Sequence, residues 1–82
     1  MLHDAQAIRY YQRLTDTLVD QWNRGYRYEE LRHYIDGYIA AMHHASAIEP
    51  YLIHQLEEEV LRFFYDSSNF AMVQPEPDPD YR

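Results

Sequence analysis

Five histidines, His3, His33, His43, His44 and His54, are the side chains of this sequence best equipped to hold a metal ion. Spacing works against most combinations. His43 and His44 are adjacent, and neighbours on a helix point about 100° apart, so the two do not share an ion; no HExxH pattern accompanies them. His54 and Glu58 stand four residues apart, a spacing that makes one edge of a metal site or, equally, a surface ion pair. The histidines are therefore expected to be solvated or to lie at the core edge, with no metal and no cofactor. A metal- or small-ligand-responsive bundle using His33, His43, His44 or His54 is the alternative that this set leaves open.

Other chemistry is poorly supplied. Glu58 and Asp36 could pair for acid–base work, but no apolar pocket is readable around either to separate an acid from a base. Glu57, Glu58 and Glu59 in a row read as a solvated face. Ser46, Ser67 and Ser68 fall at helix ends and turns with no nucleophile-elbow context, and there is no glycine-rich phosphate loop. The chain contains no cysteine, which removes thiolate nucleophiles, disulfides and cysteine metal sites together. A non-enzymatic protein with no catalytic residues is the expectation.

Recognition chemistry is better represented. There are nine tyrosines, more than a small helical domain can bury, and tyrosine combines a large ring with a polar tip. All seven basic residues are arginine, whose planar guanidinium pairs bidentately and stacks on rings. The two trends meet in Trp22, Arg24, Tyr26, Arg27 and Tyr28, the best candidate for a binding patch. The competing structural interpretation has Trp22 capping the core and Tyr26 acting as a staple. Gly37, Ala41 and Ala45, four residues apart, form a second candidate, a stripe without bulk along which a helix backbone can come close. It serves either tight packing within the chain or the seam of a homodimer.

Three amphipathic segments have to position these residues. Between Asp4 and Arg24, Ala7, Ile8, Tyr11, Leu14, Leu18 and Trp22 recur at helical spacing, with Asp4 as N-cap and Gly25 as the terminating residue. From Tyr28 to Ala45, Leu31, Tyr34, Ile35, Tyr38 and Met42 share one side, with Glu29 and Glu30 in the first turn where the helix dipole favours acids. Gly37 in the middle costs about 1 kcal/mol relative to alanine. The third helix, 50–65, starts at Pro50 with Glu49 as cap and Ile48 and Ile53 as a hydrophobic staple. Its apolar face holds Leu52, Ile53, Leu56, Val60, Phe63 and Phe64, and Glu57, Glu58, Glu59 and Arg62 face water.

Short connections make consecutive helices neighbours, so the fold class is all-α: a three-helix bundle, or a helical hairpin with a third packed helix. Residues 1–70 form that domain and residues 71–82 an acidic, proline-rich tail, Pro75-Glu76-Pro77-Asp78-Pro79-Asp80, too polar to bury and expected to be disordered. The formal charge of −7 argues against binding to nucleic acid, which requires a basic face. With no apolar run long enough to cross a membrane and no secretory leader at Met1-Leu2-His3-Asp4, a cytoplasmic location is expected.

Several stretches carry a resemblance. Ile8-Arg9-Tyr10-Tyr11-Gln12-Arg13-Leu14-Thr15 and Trp22-Asn23-Arg24-Gly25-Tyr26-Arg27-Tyr28, together with the string from Ile48 to Val60 and Arg62-Phe63 and Tyr65-Asp66 beyond it, look like a small uncharacterised family of cyanobacterial proteins of unknown function. The resemblance covers almost the whole chain and transfers no site. It implies a phototroph's cytoplasm, or the cytoplasmic side of its thylakoids. The functional expectation is a small helical protein–protein interaction module, self-associating, acting as an adaptor, assembly factor or regulator on a protein partner. A third possibility is an acidic modulator that displaces a basic partner from nucleic acid.

Overall fold

A computed structural model of the chain describes residues 2–70; the expected acidic tail, 71–82, lies outside the described residues. Three helices follow one another, α1 (Ala5–Asn23), α2 (Tyr28–Ala45) and α3 (Pro50–Phe64), then a single 3₁₀ turn at Ser67–Phe70, and the described residues contain no strand. The fold is the expected all-α one.

The helix ends are set by local chemistry. Asp4 accepts hydrogen bonds from the backbone N–H groups of Gln6 and Ala7 at 3.1 and 3.0 Å, relieving two of the free amides that open α1. At the other end Gly25 takes φ +106°, and Tyr26 N–H donates to the carbonyl of Gln21 while Gly25 N–H donates to that of Trp22. This is a Schellman closure, and it turns the chain straight into α2. There Glu30 reaches back to accept from the Arg27 N–H at 2.8 Å, half of a capping box, since an arginine side chain has no acceptor to offer in return. Pro50 opens α3 as expected; Glu49 occupies the cap position, but its side chain makes no capping bond.

α2 closes in the same manner as α1, with Ala47 N–H on the Met42 carbonyl, but the left-handed residue is Ser46 at φ 52°. A side chain there is strained by about 1–2 kcal/mol, part of which glycine would return as unfolded-state entropy. Ser46→Gly is therefore expected to stabilise the protein by about 0.5–1 kcal/mol, read as a higher urea midpoint at unchanged slope.

The order of contacts along the helices gives an up-down-up bundle. Tyr11 of α1 meets Phe63 of α3 and, further along both chains, Trp22 meets Phe70, so α1 and α3 run parallel. Arg32 meets Tyr65 while His43 meets His54, so α2 and α3 run antiparallel. The core between them holds Leu14, Leu18, Leu31, Ile35, Ile53, Leu56 and Val60, all essentially inaccessible to water, with α1 and α3 sharing the most extensive interface. Ile39 is buried and Tyr34 and Tyr38 only half-buried, so the core-facing line of α2 is rotated from the expected one towards Ile39. Thr15, the one buried polar residue described, donates its hydroxyl to the Tyr11 carbonyl at 2.8 Å, and among the described residues no buried side-chain polar atom is left without a partner.

Candidate protein-interaction site

The bundle has one aromatic end. The end of α1, the start of α2, the end of α3 and the 3₁₀ turn converge there, which puts Trp22, Tyr28, Phe63, Phe64 and Phe70 into one set of ring contacts. Trp22 lies against Tyr28 at 4.8 Å between ring centroids and against Phe70 at 5.5 Å. Tyr28 meets Phe64 at 5.5 Å and Phe70 at 5.7 Å, both edge to face, the arrangement that aromatic quadrupoles favour. The Arg27 guanidinium sits over the Trp22 ring, 4.0 Å from its centroid. Its charge covers the ring on the solvent side.

Phe70 is the residue on which this end closes, and it is only 4% exposed. A short polar turn returns it to the bundle. The Asp66 carboxylate accepts from both the N–H and the hydroxyl of Ser68, Asn69 N–H donates to the Asp66 carbonyl, and the Asn69 side-chain amide donates to the Phe63 carbonyl at 2.8 Å. The turn itself is legible in Asp66-Ser67-Ser68-Asn69. Its direction is not, because that depends on a hydrogen bond back to α3.

Of the five residues expected to form the patch, the structure brings Trp22, Arg27 and Tyr28 into contact. Trp22 is half-buried, consistent with a ring that caps the core and also shows an edge. Tyr26 stands beside them 46% exposed, with no ring partner among the described residues. Arg24 turns back along α1 to Asp20 at 3.1 Å. Sequence spacing missed the second half of the surface, supplied from α3 and beyond. Tyr65 is 69% exposed, its hydroxyl accepts from Arg32 at 2.9 Å, and Tyr28, Phe64, Tyr65 and Ser67 line an open groove of about 370 Å³.

Gly37, Ala41 and Ala45 lie on the opposite flank of α2, and all three are exposed. A Cβ placed on Gly37 would meet nothing within 4 Å, so among the described residues no helix packs closely against this glycine. Ala41 and Ala45 instead form part of a shallow groove of about 190 Å³ with Tyr10, Tyr38, Met42 and Ala47. With space available and helical geometry kept, Gly37→Ala is expected to stabilise the monomer by about 1 kcal/mol in thermal or urea unfolding.

Tyr38 on this flank, and Tyr11 on the other side of α1, hold their phenols above the ordinary value. Burial is the main cause in both, seconded by the Glu59 charge at Tyr11 and by Tyr34 at Tyr38, where Arg13 pulls the other way. A raised folded value means that the native state favours the neutral phenol. The resulting stability is fully present below about pH 10, the unfolded value, and is lost as pH rises through the folded one. Urea midpoints should stay level up to about pH 9 and drop beyond about pH 10, and the drop should be smaller in Tyr11→Phe.

The structure brings two of the candidate metal ligands together: the rings of His43 and His54 lie 5.4 Å apart across α2 and α3. Both are exposed. Among the described residues no group of three or more histidine, aspartate or glutamate side chains is placed to hold a metal ion.

Fold and site together define a small three-helix domain with one aromatic, arginine-capped end. A family of unknown function, DUF6761, matches residues 1–82, and the chain belongs to that family. No curated protein and no solved structure matches it. Among the described residues no helix is long and apolar enough to cross a membrane.

Proposed function

We propose that the chain is a non-enzymatic protein–protein interaction module, an adaptor, assembly factor or regulator, whose recognition surface is the aromatic end. One observation carries this reading: Arg27 lies over Trp22 beside the half-exposed rings of Tyr26 and Tyr28. Trp, Tyr and Arg are the side chains that dominate binding energy at protein interfaces. Here Trp22 and Tyr28 are already held by Phe64 and Phe70, so binding would cost little rotamer entropy. A cytoplasmic setting and a protein partner rather than nucleic acid belong to the same proposal, the latter supported by the net charge of −7.

The test compares proteins recovered from the native host by wild type and by a Tyr26→Ala/Arg27→Glu variant, with Glu58→Gln, at an exposed position outside the ring contacts, as control. Tyr26 and Arg27 are exposed, so the variant keeps the ring–ring contacts of this end, which an alanine at Trp22 or Tyr28 would remove. A partner bound by wild type and control and lost by the variant supports the proposal. Equal recovery by all three discards the aromatic end as the recognition surface.

Self-association is the second part of the proposal, through the flank that carries Gly37, Ala41 and Ala45. It is supported by the open groove that Ala41 and Ala45 share with Tyr10 and Tyr38. Light scattering at about 100 μM, above the micromolar constants that a standard-sized interface reaches, should give twice the monomer mass. A monomer at that concentration removes this part.

A further inference from the structure

The groove at the aromatic end has an occupant close at hand, and we propose that it is the chain's own acidic, proline-alternating segment, Pro75 to Asp80, docked within the same molecule. The inference rests on the aromatic end being the recognition surface and adds a regulation to it: the tail competes with the partner for the same rings.

Three observations lead there. The first is where the chain leaves the described fold. Phe70 is anchored among Trp22, Tyr28, Phe63 and Phe64, and Ser67, three residues earlier, already lines the groove. An extended chain rising about 3.1 Å per residue places Pro75 within about 16 Å of Phe70 and Asp80 within about 31 Å, so the segment is long enough to lie across the aromatic end, which is the surface it meets first.

The second is the chemistry of the surface. Aromatic-lined grooves receive proline-rich segments because a proline ring stacks flat on a tyrosine or tryptophan face and the extended helix has little entropy left to lose. Tyr28 and Tyr65, both exposed and both lining the groove, present such rings.

The third is charge. Glu76, Asp78 and Asp80 alternate with Pro75, Pro77 and Pro79. The Arg27 guanidinium has no carboxylate partner among the described residues, whereas those of Arg24 and Arg32 hold theirs only in exposed pairs of the kind that exchange readily. Asp20, Glu29, Glu30 and Asp36 share this end of the bundle, so the attraction is to individual guanidinium groups rather than to a basic field. Modest affinity is enough, because a short tether supplies an effective concentration in the millimolar range, at which a millimolar dissociation constant leaves about half the molecules docked.

Trp22 is the only tryptophan of the chain and reports on this surface directly. Acrylamide quenching of its fluorescence would be measured on the full chain, on Glu76→Gln/Asp78→Asn/Asp80→Asn and on Pro75→Ser/Pro77→Ser/Pro79→Ser, with helical circular dichroism as the folding control. Both variants are expected to raise the quenching constant about 2-fold, from a half-docked wild type to an open one, and about 0.5 M NaCl should bring wild type to the neutralised value. Wild-type quenching should not change with protein concentration. Unchanged quenching in either variant overturns the proposal, and a concentration-dependent signal overturns docking within one molecule in favour of a second copy. The assay contains this protein alone, so failure of the tail to dock is distinguishable from failure of a partner to bind.

Discussion

Replacing Phe70 with alanine is expected to destabilise the protein by about 3 kcal/mol, the lower end of the range for a buried phenylalanine, because the site lies at the edge of the core. The ring is 4% exposed and is shared by Trp22, Tyr28, Phe63 and Phe64, so its loss leaves a hollow against which all four have to relax. For a chain of this size a core rarely supplies more than about 3–5 kcal/mol of net stability, so this one ring accounts for much of the margin. Urea unfolding followed by circular dichroism measures the loss. Trp22 emission in the folded variant should move to longer wavelength as the ring meets water. An unchanged midpoint would mean that Phe70 decorates the bundle rather than closing it.

Leu56→Ala should cost as much or more, about 3–5 kcal/mol, with a different signature. Leu56 is wholly buried in the centre of α3, the helix that shares its largest interface with α1, and close-packed neighbours there have little freedom to collapse into the space. The helices should therefore be lost together, and far-ultraviolet dichroism and Trp22 fluorescence should give coincident thermal curves with a midpoint well below that of wild type. Phe70→Ala, in contrast, should disturb Trp22 before the helices melt. Coincident curves in both variants would show that the aromatic end and the central core are one cooperative unit.

Most local signals were readable along the chain, the exceptions being the left-handed Ser46 and a Glu49 side chain that makes no capping bond. Asp4, Gly25 and Pro50 act within four residues of themselves, through hydrogen bonds and backbone angles that a sequence states outright. Phase was read less well. The spacing in α2 placed Tyr34 and Tyr38 with Leu31, Ile35 and Met42, but which edge of that stripe faces the core is decided by the other two helices, and they select Ile39. The same rotation leaves Gly37, Ala41 and Ala45 on the exposed side of α2.

The candidate site was half legible for a related reason. Trp22, Arg27 and Tyr28 are neighbours across one turn, so their types and spacing were sufficient to group them. Tyr65 lies 33 residues from Arg32, and Phe70 is further still from Tyr28; those meetings depend on the antiparallel register of α2 and α3 and on the Asn69 side chain that aims the last turn. The pairing of His43 with His54 is set by that same register.

α2 contains both a glycine at mid-helix and a serine forced into the left-handed region at its close. Each weakens the hydrogen-bonded ladder between them, so native-state breathing of this molecule should begin in the stretch from Gly37 to Ser46. Amide protons there should exchange with solvent faster than those around Leu31, Leu18 and Val60. The softest part of the bundle thus lies at the far end from Trp22, and its opening leaves the aromatic rings in register.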